Sequence, residues 1–374
     1  MNFTALLDIM ARNQASDLFI TAEREPSIKV NGQLKAISRS RLSKEQALQV
    51  VLSIMTPTQR EEFETTRECN FAIEAPDLGR FRVSAFMQRD CAAMVLRRIQ
   101  TQVPSWQDLA LPPVLSELVM SKRGLILIAG GTGSGKSTTL ASLIRHRNEH
   151  SSGHIITIED PLEYVHAHLG CIVTQREVGI DTASYEVALK NTLRQAPDVI
   201  LIGEIRTRET MQQAITFAET GHLCLSTVHA NNANQTIDRI LHFFPEEMHP
   251  QLLMDLSLNL RAIVAQQLLP RADGSGRQLA LEIMVNTPRA ADLIRKGEIP
   301  KLKELMKQSR EHGMLTFDQC LFELFRAGTI SYEDALSAAD SKNEVRLMVK
   351  LADDGLNPDS LPGELALLDE DAPE

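Results

Sequence analysis

Gly130-Gly131-Thr132-Gly133-Ser134-Gly135-Lys136-Ser137 is the stretch that decides the fold of this chain. It satisfies GxxxxGK[ST], with an apolar run at 125–129 before it and helical spacing over 136–147 after it. A glycine-rich loop that ends a strand and opens a helix aims backbone N–H groups at phosphate oxygens, and the helix N-terminus adds partial positive charge. A plain turn would join strand to helix without needing the lysine or the hydroxyl. Lys136 is expected to reach the β- and γ-phosphates of ATP and Ser137 to ligate Mg²⁺, with Thr138 completing the nucleotide-binding set.

Working outward, the runs at 155–158, 199–202 and 223–228 are short, continuous and rich in Ile, Leu and Val. Such runs suit strands buried on both faces of a parallel sheet. Between them, 184–195 and 208–219 carry apolar residues at three- and four-residue spacing. This βαβα order predicts a doubly wound α/β domain. From 246 onward the spacing reads as mainly helical, apart from a strand at 279–285. Before the core, residues 1–100 read as a small mixed α+β domain. Its strands are expected at 17–21, 27–30, 81–87 and 92–99, its helices at 44–55 and 57–64, and a tight turn at Asn31-Gly32. Residues 101–113 contain three prolines and read as a linker. The core then covers 114–350, and 351–374 read as an acidic, disordered tail.

The chain has 374 residues and a formal net charge of -10. Residues 353–374 hold eight acids and no Lys or Arg, which leaves 39 basic against 41 acidic residues elsewhere. The acidity therefore belongs mostly to the tail. A near-neutral core with 4% aromatic residues argues against nucleic acid as a partner, since a strand-tracking channel needs clustered cations and stacking rings. Five cysteines, far apart and without a CxxC pair, offer neither a zinc cage nor a disulfide framework and fit a reducing cytoplasm. No run of about 18 apolar residues predicts membrane insertion.

Hydrolysis needs more than a phosphate loop: a carboxylate near the metal, a group to orient water, and a cation over the transition-state charge. Glu204 follows the 199–202 run and is expected at the carboxyl edge of the sheet, where an acid holds the water shell of Mg²⁺. Within Glu159-Asp160-Pro161-Leu162-Glu163, Glu163 is placed to polarise an in-line water, while Glu159 and Asp160 equally suit loop capping. His229, at the end of the 223–228 run, is a candidate γ-phosphate sensor. His222 before that run reads equally well as structural.

Four segments in this order, GGTGSGKST, ITIEDPLEY, LRQAPDVILIGEIR and TGHLCLSTVHANNA, resemble the Walker A, aspartate box, Walker B and histidine box of the type II secretion and type IV pilus ATPases. SDLFI, PSIKVNGQL, GRFRVSAF and VLRRI are similar to the small PAS-like N-terminal domain of the PilT-type retraction motors of that family. The resemblance covers about residues 1–345. It implies a RecA-like P-loop core, a helical C-terminal part and a hexameric ring with ATP between one subunit's P-loop and the next subunit's N-terminal domain. On that basis Arg82 and Arg97 match the arginines that reach nucleotide across the interface, with Arg80 and Arg98 as weaker candidates.

Departures from the family pattern refine the resemblance. The paired CxxC units of the extension motors are absent, which favours the retraction branch. The C-terminal AIRNL motif of the main retraction motors is replaced by Arg289-Ala290-Ala291-Asp292-Leu293. Ala196 and Thr207 stand where the family carries acids, Phe19 where it carries His, and Gly131 where Pro is common. These changes, with the acidic extension, resemble the accessory PilU branch. They imply a cytoplasmic, Mg²⁺-dependent ATPase acting at the inner membrane on a PilC-like platform protein, together with a PilT-type main retraction ATPase. A catalytically weak structural or regulatory partner of that motor is the alternative, and a nucleic-acid translocase a more distant one.

Overall fold

The structure is a computed structural model that describes residues 3–353, except Asn31 and Asp77. The tail expected to be disordered therefore lies, from residue 354, outside the described residues, as does the Asn31 half of the expected turn. The chain divides into two compact units. The first runs through Val103 and also takes in Pro161–His166 and Arg176–Ala183; the second comprises the rest.

In the first unit six strands form an antiparallel sheet: β1 (Asp17–Thr21), β2 (Ser27–Val30), β3 (Gln33–Ala36), β4 (Glu68–Ala75), β5 (Gly79–Gln88) and β6 (Cys91–Arg98), in the order β3-β2-β1-β6-β5-β4. Three helices, α1 (Phe3–Arg12), α2 (Lys44–Ser53) and α3 (Pro57–Thr66), join Leu6, Met10, Val51 and Phe63 to one core with Leu18, Ile20, Phe81, Val83 and Leu96. Ser43 and Thr56 start α2 and α3 with capping boxes that satisfy amides otherwise left open. Strand β5 shows why its arginines are available for other partners. Phe81, Val83 and Ala85 face the core, so the period of two turns Arg80 and Arg82 to the other face. Strand β4 is an addition to the expected elements; its charged residues mask a real alternation of buried Cys69, Phe71 and Ala75.

The second unit is built on seven strands: β7 (Gly124–Ala129), β8 (Gly153–Glu159), β9 (Cys171–Glu177, whose last two residues belong to the first unit), β10 (Val199–Ile202), β11 (Leu223–Val228), β12 (Leu260–Pro270) and β13 (Arg277–Val285). Their order is β13-β12-β7-β11-β10-β8-β9. Strands β7, β11, β10 and β8 are parallel, and β7, β10 and β11 are buried along their whole length. Helices α4 (Pro113–Val119), α5 (Lys136–His150), α6 (Tyr185–Thr192), α7 (Arg208–Glu219), α8 (Ala233–Leu241) and α9 (His249–Asn259) follow the strand–helix alternation. Trp106, Leu109 and Leu111 pack on this core, so the second half of the proline-rich stretch is anchored to it.

Strand β12 corrects the reading of 260–270 as helical. Ala262 to Gln266 is buried on both faces, so the sequence shows a continuous apolar run with no alternation to mark a strand. It pairs in parallel with β7 and antiparallel with β13, extending the sheet beside the phosphate loop. The C-terminal helices α10 (Pro288–Arg295), α11 (Leu302–Lys307), α12 (Phe317–Arg326), α13 (Tyr332–Ala338) and α14 (Lys342–Asp353) complete the unit. Phe317, Leu321, Ile330 and Ala335 share a small core with Ala129, Ala265 and Ala280 of the sheet.

Candidate nucleotide site

Strand β7 delivers Gly130 at its buried end, and Lys136 opens α5. Gly130 has no room for a side chain: a Cβ would lie 2.4 Å from Ser134 Oγ and 2.7 Å from the Gln266 carbonyl. The other side of the loop is open, since a Cβ on Gly131 or Gly133 would meet nothing within 4 Å. Lys136 Nζ donates to the carbonyl oxygens of Gly130 and Gly131, both at 2.8 Å. Its partial burial lowers the pKa, with Glu204 acting in the opposite sense. The exposed Ser137 stands on the first turn of α5, and Thr138 follows it.

One supporting residue was not foreseen. Gln266 on β12 is fully buried, and its Nε2 donates to the Ser134 carbonyl at 2.7 Å. It braces the loop from beneath. Only the strand assignment of 260–270 points to it, because a buried amide in a central strand needs a polar partner.

Strand β10 carries Glu204 just past its end. The Gly203 amide donates to Ile158 O and the Ile205 amide to Thr227 O, so the neighbouring strands hold the peptides on both sides of Glu204. Its largely buried carboxylate takes Arg206 Nη2 at 2.7 Å on Oε2 and His229 Nε2 at 3.1 Å on Oε1. Walker B and the histidine box thus meet on one carboxylate. His222 instead engages Thr220 Oγ1 and the Phe217 carbonyl through Nδ1, which ties the end of α7 to the start of β11. At the end of β8, Glu159 Oε1 accepts from Thr157 Oγ1 at 2.7 Å. Tyr185, the first residue of α6, was also not singled out by sequence; its phenol lies over Gly203.

The donor set fits a magnesium nucleotide. Among the described residues no group of three or more His, Cys, Asp and Glu side chains could cage a metal. Mg²⁺ needs no such cage, being held by one or two oxygen ligands together with phosphates and water. Ser137 Oγ and the carboxylate of Glu204 are oxygen groups of the kind that would supply that chemistry.

Three of the expected site residues belong to the first unit. Arg82 Nε lies 3.2 Å from Glu177 Oε1, and its Nη2 donates to Leu162 O at 3.0 Å. Arg97 Nε pairs with Asp17 Oδ1 at 2.8 Å while its side chain remains 60% exposed. Glu163 falls in the Pro161–His166 segment and so belongs, like these arginines, to the first unit. Glu177 is buried, which raises its pKa; Arg82 and Arg80 pull it back down.

Residues 3–325 match the family model described as Type II/IV secretion system protein. The chain belongs to this family of secretion ATPases. It is 60% identical over 351 residues to the Type IV pilus ATPase PilU of Pseudomonas aeruginosa, covering 94% of this chain and 92% of that protein. It is 40% identical to the Type IV pilus retraction ATPase PilT of the same organism, over 91% and 98% of the two chains. Among solved structures, that of the pilus retraction motor PilT with bound ADP superposes with a TM-score of 0.87 at 39% identity, covering 92% of this chain and 99% of that one.

Two departures from the family pattern have a structural account in this secretion ATPase. Thr207, at an acid position, is the N-cap of α7, and its hydroxyl accepts from the Thr210 amide. Ala196, also at an acid position, sits in the left-handed region at φ 51°, where Asp or Asn is tolerated far better than Ala.

Proposed function

We propose that this ATPase is an ATP-hydrolysing motor of the type IV pilus machine, serving retraction and twitching motility in an accessory role. The observation that carries the reading is the convergence of Arg206 and His229 on Glu204 beside a complete phosphate loop, in a chain 60% identical to a type IV pilus ATPase. The loop amides from Gly130 to Gly135 and Lys136 bind the phosphates. Ser137 and Glu204 hold Mg²⁺, which when bound neutralises phosphate charge. Glu163 orients water, Arg82 and Arg97 serve the neighbouring subunit's nucleotide, and His229 reports the γ-phosphate to Glu204.

Six subunits form the ring, with each nucleotide between one subunit's P-loop and the next subunit's N-terminal unit. The ring works in the cytoplasm, peripheral to the inner membrane, docked on a platform protein of the pilus machine. Among the described residues no helix is long and apolar enough to cross a membrane. A PilT-type main motor is the functional partner.

A second reading, a catalytically weak regulatory partner of the main motor, is favoured by the lost acids at Ala196 and Thr207 and by the altered segment at 289–293. ATP turnover of the purified chain alone, and then with the main motor added, separates the two. Turnover by the chain alone supports the motor. Silence alone, with ATP and motor binding intact, establishes the regulatory partner.

A further inference from the structure

Tyr185 opens α6 directly after Ser184, whose side chain accepts from the Val187 amide as the N-cap. That start brings the phenol to the carboxyl ends of β8 and β10. The phenol oxygen stands 2.8 Å from where a Cβ on Gly203 would lie, a point also 3.1 Å from Glu159 Cα and 3.3 Å from Ile158 O. Gly203 is therefore a seat for the hydroxyl, and any side chain there would push it out. Asp160 and Glu159 at one strand end, and Glu204 with Arg206 at the other, are near enough for their charges to act on the phenol. Ionised carboxylates only accept hydrogen bonds. Burial, followed by the charges of Asp160 and Glu159, raises the phenol's pKa and keeps it a neutral donor among those acceptors. Arg206 is already committed to Glu204.

We infer that Tyr185 is a positioning residue for ATP hydrolysis: its hydroxyl, seated on Gly203, donates into the gap between Glu159-Asp160 and Glu204. The hydroxyl lets the two acidic strand ends stand together without adding a charge, and it holds Glu204 in the attitude that the magnesium nucleotide requires. The inference rests on Glu204 being the acid that serves the metal, as proposed above.

Tyr185→Phe removes one oxygen and keeps the ring. In the full-length chain it is expected to lower kcat about tenfold while KM for ATP stays unchanged. Gly203→Ala displaces the same hydroxyl, so Tyr185→Phe/Gly203→Ala should be no slower than Gly203→Ala alone. A Tyr185→Phe enzyme with wild-type kcat, or losses that multiply in the double variant, would overturn the role. Glu204→Gln is the control. If it is inactive while Tyr185→Phe is normal, only the Tyr185 inference fails; if Glu204→Gln turns over normally, both it and the site reading fall.

Discussion

Gln266 Nε2 donates to the Ser134 carbonyl at 2.7 Å, joining the centre of β12 to the phosphate loop. Replacing Gln266 by Leu keeps the bulk but leaves that carbonyl without its partner, at a cost of about 1–3 kcal/mol. We expect a lower melting temperature and ATP affinity weakened by about tenfold or more. A thermal melt with a titration of fluorescent ATP analogue checks both. Unchanged binding would mean that the loop holds its shape without the brace.

Glu204 is the meeting point of Arg206 and His229, so the variants at the two ends of that contact should differ in degree. Glu204→Gln should reduce turnover by on the order of 10²-fold while nucleotide binding persists, because metal-linked charge stabilisation is worth several kcal/mol. His229→Ala should cost about tenfold, since it removes one hydrogen bond and leaves the acid. Single-turnover kinetics beside equilibrium binding give the two numbers. Loss of binding in Glu204→Gln would place the acid in nucleotide affinity instead.

Glu282, on β13, is 2% exposed and accepts from the first amides of both α8 and α12, at Ala233 and Phe317. Burial pushes its pKa up from 4.5 to about 7. The folded chain then holds this proton more tightly than the unfolded one, so stability from this residue is greatest below pH 4.5 and falls as pH rises to about 7. The fall amounts to about 3 kcal/mol. Glu282→Gln removes the charge and keeps one of the two accepting oxygens, so one of the two amide bonds is lost at every pH. Relative to wild type it should gain stability between pH 5 and 8, as read from denaturant melts across that range. A constant difference between the two proteins over that range would disprove the assignment.

Ala196, in the left-handed region, carries a Cβ where the backbone disfavours one. Ala196→Gly is expected to stabilise the second unit by about 1 kcal/mol. Calorimetry should show its transition rising by about 2–4 °C. A drop would show that the residue relaxes out of that conformation.

How much of this was legible in the sequence depends on what burial does to periodicity. The four strands of the parallel core sit on short runs rich in Ile, Leu and Val, and the motifs cap their ends. The same rule hid β12, whose buried centre ends in Gln266 and carries no alternation. With that strand went the residue that braces the loop. Tyr185 was invisible for a different reason: a tyrosine at the start of a helix has no signal until Gly203 is brought beneath it by another strand. The reach of Arg82 to Leu162 O likewise joins residues 80 positions apart, and nothing in local spacing could announce it.

Whether this loop and its acids turn over ATP is decided by the rate of phosphate release from the purified full-length chain beside its Lys136→Ala variant. Magnesium-dependent release by the wild type and a fall to background in Lys136→Ala are expected. Release by Lys136→Ala at the wild-type rate would contradict turnover at this loop.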